Sequence, residues 1–69
     1  MATKYFYTPQ GEYAAYSVDG EHLYNSKGHY IGYFNGSYLF DSNGRPMGNV
    51  NDTWVYDTNG RPLYYTTED

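Results

Sequence analysis

The stretch YLFDSNGRPMG, residues 38–48, returns sixteen positions later as WVYDTNGRPLY, residues 54–64. Alignment at that offset gives three units, residues 15–30, 31–46 and 47–62, and the last two share seven identical positions. A repeat of this length marks a supersecondary unit that stacks on its neighbours, because one unit cannot bury its apolar face alone. We therefore expect the 69 residues to form a single repeat domain, with units at about 4–20, 21–36, 37–52 and 53–69.

Each unit carries two turn signals. Asp19-Gly20 and Asn35-Gly36 indicate two-residue hairpin turns, and Asn51-Asp52 is a weaker version, because these residues tolerate positive φ. The second signal is TPQG, NSKG, DSNG or DTNG, in which Asp or Asn caps its own backbone and Gly closes the turn in a left-handed conformation. The segments between turns alternate in character, have high β-propensity and lack a helical period. Eight short strands are predicted near residues 5–7, 12–18, 21–24, 29–34, 37–40, 45–50, 53–56 and 61–66.

Strand register follows from the repeat, since equivalent positions should share a face of the sheet. Four-residue loops at DSNG satisfy this condition and predict that Tyr38 pairs with Met47 and Met47 with Tyr56. Equivalent residues then slip by two positions per hairpin, and four hairpins accumulate about eight, a value known for closed eight-stranded barrels. The first hairpin has one extra residue, which predicts a bulge near residues 14–18.

The fold class expected from these signals is all-β, an antiparallel meander of about eight short strands in four hairpin repeats of roughly 16 residues, rolled into a small barrel-like sheet. A twisted open sheet or a stack of hairpins carries the same local signals. Composition agrees with a folded chain, because 11 tyrosines can bury large area and leave a polar tip in water. The absence of cysteine excludes disulfides and thiolate metal sites.

Neither face of the predicted sheet is polar. One face carries Tyr24, Ile31, Tyr33, Tyr38, Phe40, Met47, Trp54, Tyr56, Leu63 and Tyr65. The other carries Leu23, Gly32, Phe34, Leu39, Gly48, Val50, Val55 and Tyr64. An antiparallel sheet with one wet face should alternate between apolar and polar residues. A rolled sheet buries one face, so the other is expected to meet a protein partner, a second copy or a ligand, or to stay exposed as a patch.

The net charge and the lengths of the apolar runs limit the partners and the cellular location that the sequence predicts. The net charge of −4 argues against a phosphate-binding surface and hence against nucleic acid. No apolar run approaches 18 residues, which predicts no membrane-spanning helix. The first ten residues, MATKYFYTPQ, lack the apolar core of a signal peptide, so the cytoplasm is the default expectation.

Residues that often carry chemistry here have simpler structural interpretations. The positions of His22 and His29 are occupied by Tyr38 and Arg45, and by Trp54 and Arg61, in the later units, and no converging partners recur for a metal or acid–base role. Asp41 and Asp57 stand at turn positions that favour Asp for backbone reasons. We expect no metal, no cofactor and no catalytic activity, since no nucleophile, base and orienting group can be assembled.

The hairpin units are similar to two known groups. NGSYLFDSNGRPM and DTWVYDTNGRPLYY resemble the aromatic hairpin repeats of bacterial cell-wall-, choline- and glucan-binding modules, over residues 20–65. That resemblance implies ligand contacts from aromatic residues of adjacent hairpins, which map onto Tyr38, Phe40, Trp54 and Tyr56. IGYFNGSYLFDSNG resembles more closely the bacterial and phage repeats of the form Ile-Gly-x-Ile-x-Gly-x-x-Ile-Tyr-Asp-x-x-Gly, which imply an architecture but no particular function.

The function expected from the sequence is a non-catalytic binding or assembly module that acts through an aromatic sheet face, by protein docking or self-association. The alternatives are a bacterial cell-wall or glucan-binding module and a small phage-encoded inhibitor of a host protein. The predicted binding residues are Tyr33, Tyr38, Phe40, Trp54, Tyr56 and Tyr65.

Overall fold

The computed structural model describes residues 3–67. Within them the chain forms no helix and eight antiparallel strands: β1 Lys4–Tyr7, β2 Tyr13–Ser17, β3 His22–Asn25, β4 Tyr30–Asn35, β5 Tyr38–Asp41, β6 Pro46–Asn51, β7 Trp54–Asp57 and β8 Pro62–Thr66. Each strand pairs with the next in sequence, and β8 pairs with β1, so the sheet closes into a barrel. The predicted all-β meander of four hairpins is therefore confirmed, and closure distinguishes it from an open sheet.

The turn residues of the longer loops make the contacts that the sequence predicts. The carboxylate of Asp41 accepts hydrogen bonds from the backbone N–H groups of Asn43 and Arg45, each at 2.9 Å. Gly44 takes a φ of 84° and donates its N–H to the Asp41 carbonyl at 2.9 Å. Asp57 makes the same contacts in its own loop. These aspartates hold turns, which confirms their structural interpretation.

The two-residue turns are centred on Gly36-Ser37 and Asp52-Thr53, one residue later than the sequence suggested, because Asn35 pairs with Tyr38 and Asn51 pairs with Trp54. Only the first central residue has positive φ, 64° at Gly36 and 61° at Asp52. This φ pattern belongs to a type II′ turn, whereas Asn-Gly at the centre would favour type I′. In the second turn Thr53 explains the choice, since a β-branched residue resists the second positive φ of type I′.

The predicted register is wrong by two positions. Tyr38 pairs with Asn49, and Asn49 pairs with Tyr56, so Met47 does not lie between the two tyrosines. The loop holds five residues, 41–45, and Met47 is an extra bulged residue after it. Each addition shifts the pairing by one, so together they leave the side chains outside the bulges on their predicted faces. Ile31 and Met47, which were predicted on the aromatic face, lie at bulges and pack against the core instead. Equivalent bulges stand at Ala14, Ile31 and Leu63.

The extra residue of the first hairpin is not the bulge at Ala14, because that bulge recurs in every hairpin. The additional residue instead lies in residues 18–21, the loop between β2 and β3. There Ser17 accepts a hydrogen bond from the Gly20 N–H at 2.9 Å, and Asp19 accepts from the N–H groups of Glu21 and His22. Side-chain acceptors thus satisfy the longer connection.

The stagger of eight follows from the observed pairs. Across the sheet, Phe6 on β1 pairs with Ala15 on β2, and Ala15 pairs with Asn25 on β3. The repeat equivalent of Phe6 is Leu23, so the pairing has moved two residues along β3 from the equivalent position. The same slip of two occurs at each of the four hairpins. Eight strands with this stagger enclose an interior that side chains just fill.

A single ring of inward residues forms the middle of the core. It consists of Phe6, Ala15, Leu23, Gly32, Leu39, Gly48, Val55 and Tyr64, in which large and small residues mostly alternate. A Cβ on Gly32 would overlap the carbonyl oxygen of Phe40, and one on Gly48 would overlap that of Tyr56. Glycine is therefore required where adjacent strands approach most closely.

A second inward layer lies toward the two-residue turns and consists of Ser17, Phe34, Val50 and Thr66. Phe34 stacks on Phe6 with ring centroids 5.8 Å apart. The Thr66 hydroxyl donates to the Tyr5 carbonyl at 2.7 Å and ties β8 to β1. The buried face is thus the one predicted to carry Leu23, Leu39 and Val55, and the aromatic face lies outside.

Candidate functional site

The outer surface of the barrel is covered by aromatic rings in a repeating pattern. Three positions of each hairpin point outward, and their occupants are Tyr5, His22, Tyr38 and Trp54 at the first, Tyr7, Tyr24, Phe40 and Tyr56 at the second, and Tyr16, Tyr33, Asn49 and Tyr65 at the third. Because strands alternate faces, this pattern follows from the same parity that sorts the core.

Rings pair across three of the four junctions between hairpins. The ring centroids are 5.5 Å apart for Tyr16 and Tyr24, and 5.4 Å apart for Tyr33 and Phe40. At the seam where β8 meets β1, the rings of Tyr65 and Tyr7 are 5.6 Å apart. Such separations are favourable for aromatic pairs.

Each of the third-position tyrosines also covers a loop. The Tyr33 hydroxyl lies 3.5 Å from where a Cβ on Gly44 would stand, and the Tyr16 hydroxyl lies 3.6 Å from the same point at Gly28. At the fourth junction Asn49 takes the place of tyrosine, and no atom lies within 4 Å of the position that a Cβ on Gly60 would occupy. Asn49 therefore leaves a gap in the aromatic surface.

Six rings form a continuous series across the seam, which we call the seam cluster. Neighbouring centroids along it are 5.9, 6.3, 5.6, 5.2 and 6.5 Å apart, in the order Tyr5, Tyr13, Tyr7, Tyr65, Trp54 and Tyr56. Tyr5 is 47% exposed and Tyr13 is 45% exposed, and together with Tyr7 they line a shallow apolar depression. The cluster thus offers wide aromatic area to solvent.

The residues predicted from sequence fall into two groups. Trp54, Tyr56 and Tyr65 belong to the seam cluster. Tyr33, Tyr38 and Phe40 form a separate group, in which Tyr38 is 58% exposed and lies 6.5 Å from Phe40. Among residues 3–67 no ring pair joins the two groups, because Asn49 lies between Tyr38 and Tyr56.

Sequence reasoning missed Tyr5, Tyr7 and Tyr13. The alignment of YFYTPQGEYAAY with HLYNSKGHYIGY at an offset of 17 contains the parity that places Tyr5 and Tyr7 outside. Tyr13 lies outside because of the bulge at Ala14, which pairs it with Tyr7. What was lacking was closure, because only the pairing of β1 with β8 brings Tyr7 beside Tyr65.

The environment of the outer surface favours the protonated, neutral form of two tyrosine hydroxyls. Desolvation by its neighbours raises the pKa of Tyr13, and the nearby Tyr16, Tyr5 and Tyr7 raise it further. Desolvation likewise raises the pKa of Tyr30, which belongs to the neighbouring group with Tyr24. These hydroxyls therefore keep their protons at neutral pH and remain hydrogen-bond donors.

One ion pair lies on the surface of the second hairpin. His22 Nδ1 is 2.9 Å from the Asp19 carboxylate. This hydrogen bond holds the pKa of Asp19 well below its usual range and raises the pKa of His22. Both side chains are more than 40% exposed, so the pair contributes little to stability. In residues 3–67 no three His, Cys, Asp or Glu side chains gather as a metal-binding group.

A cavity of about 290 Å³ opens at the barrel end that carries the two-residue turns. Its floor is apolar and is formed by Phe6, Phe34, Val50 and Val55. Its rim is polar and includes Lys4, Ser37, Asp52, Thr53 and Thr66. The sequence pattern does not predict this cavity, since it forms only where all four hairpins converge.

The fold and surface together define a class: closed barrels of four antiparallel hairpins with a covered core and an aromatic exterior. The chain belongs to the family of 4-fold beta flower proteins, whose family model matches residues 4–69. Searches among curated proteins and among solved structures give no match to this chain. Over residues 3–67, no helix has the length and apolar character needed to cross a membrane.

Proposed function

We propose that the protein is a non-catalytic binding module whose seam cluster docks onto a protein surface, either a partner protein or a second copy of the chain. The observation that carries this proposal is the unbroken series of six rings across the barrel seam. Tyrosine and tryptophan supply large, rigid contact area at low entropic cost, and they are enriched at protein interfaces.

The polar residues support a non-catalytic role. The Oδ1 atom of Asp41 and that of Asp57 each accept two hydrogen bonds from backbone N–H groups of their own turns. His22, the first residue of β3, is held by Asp19, and the Thr66 hydroxyl donates a hydrogen bond at the seam. A nucleophile within reach of a base is the usual requirement for covalent catalysis, and these arrangements do not provide one.

The test compares two repeat-equivalent tyrosines. Tyr13 lies in the seam cluster and Tyr30 lies outside it, and their exposed fractions are 45% and 43%. Tyr13→Ser should abolish docking, whereas Tyr30→Ser should leave it intact and should cost similar stability. Sedimentation velocity across a hundredfold range of concentration measures self-association, and affinity capture with wild type and both variants measures partner binding.

Two outcomes would refute the proposal. One is a chain that stays monomeric at every concentration and captures no protein in a Tyr13-dependent manner. The other is equal loss of binding in Tyr13→Ser and Tyr30→Ser, since that result would deny any special role to the seam cluster.

Carbohydrate binding is the second candidate, favoured by the depression that Tyr5, Tyr7 and Tyr13 line. Aromatic faces stack on sugar rings, and the hairpins resemble those of cell-wall and glucan-binding modules. Retention on purified peptidoglycan or glucan, lost in Tyr13→Ser and kept in Tyr30→Ser, would replace protein docking with this function. Retention of both variants, or of neither the wild type nor the variants, would count against it.

The closer resemblance to bacterial and phage repeats of the Ile-Gly…Tyr-Asp-x-x-Gly form supports a bacterial or phage origin for the chain. It leaves one specific form of protein docking to be tested, the inhibition of a host protein by a phage product in the cytoplasm. Capture of one host enzyme that loses its activity on binding, and that regains it with Tyr13→Ser, would identify that form.

A further inference from the structure

The cavity at the end of the barrel shares no lining residue with the seam cluster. It opens at the two-residue turns, and all four hairpins contribute to its lining. The mouths of β-barrels are among the places where small-molecule sites occur most often. Its volume of about 290 Å³ is close to the lower end of the range for such sites.

The floor is suited to an apolar group. Phe6 and Phe34 stack across the interior with centroids 5.8 Å apart, and Val55 is only 1% exposed. Val50 completes this floor from the third hairpin. A dry cavity of about 150 Å³ with similar walls accommodates a benzene-sized ring, so this larger one has room for a ring with a polar end.

The rim carries one group of each charge. Lys4 is the first residue of β1, and Asp52 lies in the turn between β6 and β7. Strand β8 runs between β7 and β1 and ends at Thr66, which also lines the cavity. A cation and an anion on either side of one strand end are complementary to a ligand that carries both charges.

We propose that this cavity binds a small zwitterion with an apolar side chain, the chemical class of an apolar α-amino acid. The ligand carboxylate meets the Lys4 ammonium group, the ligand ammonium group meets the Asp52 carboxylate, and the side chain enters the floor formed by Phe6, Phe34, Val50 and Val55. Hydroxyl groups of Thr53 and Thr66 lie at the same rim.

The experiment is an NMR titration of the full chain with three probes of equal ring size. Phenylalanine carries both charges, phenylacetate lacks the ammonium group and phenethylamine lacks the carboxylate. Phenylalanine should shift the amide signals of Gly20, Gly36 and Thr53 at the cavity, and should leave those of Gly28 and Gly44 at the opposite end unchanged. Each missing charge should weaken binding about fivefold, the effect of one exposed ion pair.

Rim variants identify the contacts. Lys4→Met should remove the advantage of phenylalanine over phenethylamine, and Asp52→Asn should remove its advantage over phenylacetate. Both side chains are exposed, so both variants should fold. Lys27→Met is the matched control, because Lys27 is an exposed lysine in the Asn25–Gly28 loop at the opposite end.

The proposal is overturned if phenylalanine at 10 mM moves no cavity amide, or if the three probes bind equally. It is also overturned if Lys4→Met and Lys27→Met behave alike. A fourth variant, Val50→Phe, fills the floor with the residue found at the equivalent position 34. Undiminished phenylalanine binding by this variant, once its spectrum shows a folded barrel, would exclude the cavity as the site.

Discussion

Replacing Asn49 with tyrosine would give the third hairpin the residue that the other three carry at this outward position. Asn49 is exposed, and its cross-strand partner Tyr56 has no ring beside it on that side. In the equivalent pairs, the rings of Tyr33 and Phe40 are 5.4 Å apart, and those of Tyr16 and Tyr24 are 5.5 Å apart. A tyrosine at 49 should therefore pair with Tyr56 in the same geometry.

The expected gain in stability is that of one aromatic pair with the geometry of the three existing pairs. An aromatic pair of this kind contributes about 0.5–1.5 kcal/mol beyond its buried area. The new side chain displaces no buried group, and its hydroxyl would lie over Gly60, where nothing now stands within 4 Å. We expect Asn49→Tyr to raise the free energy of unfolding by about 1 kcal/mol, which corresponds to an increase of about 4–8 °C in Tm for a domain of this size.

Thermal and urea denaturation followed by circular dichroism measures the effect. Asn49→Leu is the control, since it adds apolar area without a ring. Tyr56→Leu, alone and combined with Asn49→Tyr, completes a double-mutant cycle that isolates the ring pair. If Asn49→Tyr stabilises no more than Asn49→Leu, or stabilises equally when Tyr56 is absent, the gap at Asn49 is not a missing ring contact and the reasoning fails.

Three further changes should alter stability in defined ways. Asp52→Gly should raise the free energy of unfolding by about 0.5–1 kcal/mol, because Asp52 holds a φ of 61° that glycine adopts without strain; urea denaturation measures it. Gly48→Ala should lower it by about 3 kcal/mol, since the new Cβ overlaps the Tyr56 carbonyl and neighbouring strands must move apart; thermal melts show the loss. The ion pair of Asp19 and His22 should contribute its full stabilisation between about pH 4 and pH 6.5, where both side chains are charged. This stabilisation should disappear as the pH rises through the raised pKa of His22. Urea midpoints of wild type and His22→Gln from about pH 5 to 9 measure the effect.

Each of these expectations has a control. Gly36→Asp should lower the free energy of unfolding by about the amount that Asp52→Gly raises it, because it creates the same strain at the equivalent turn. Tolerance of Gly48→Ala with an unchanged melting temperature would contradict the close approach of β6 and β7. For the pH effect, a difference between wild type and His22→Gln that persists to pH 9 would contradict the raised pKa of His22.

Local structure was largely predictable from the sequence. Every predicted strand lies within one residue of its observed bounds, because turn residues such as Asp41 and Gly44 act on their own backbone and need no distant partner. The assignment of side chains to faces was also correct except at the bulges, where Ile31 and Met47 pack against the core, and the register was off by two. A five-residue loop and the bulge at Met47 shift the pairing together, and their parities cancel.

The candidate site was only partly predictable. Trp54, Tyr56 and Tyr65 were recognised as aromatic residues that share a face, but nothing local links them to Tyr7. Nor does the repeat itself show that Asn49 would separate Tyr38 and Phe40 from the seam cluster, since that requires the observed register.

The repeat of the DSNG and DTNG turns determined four hairpins, the chemistry of those turns and the division of residues outside the bulges between two faces, because these features depend on neighbours along the chain. Only the tertiary structure decided that β8 pairs with β1, that the face with Leu23, Leu39 and Val55 is the buried one, and that six rings meet at the seam. Closure is a property of accumulated twist and stagger over all eight strands, and no single repeat contains it.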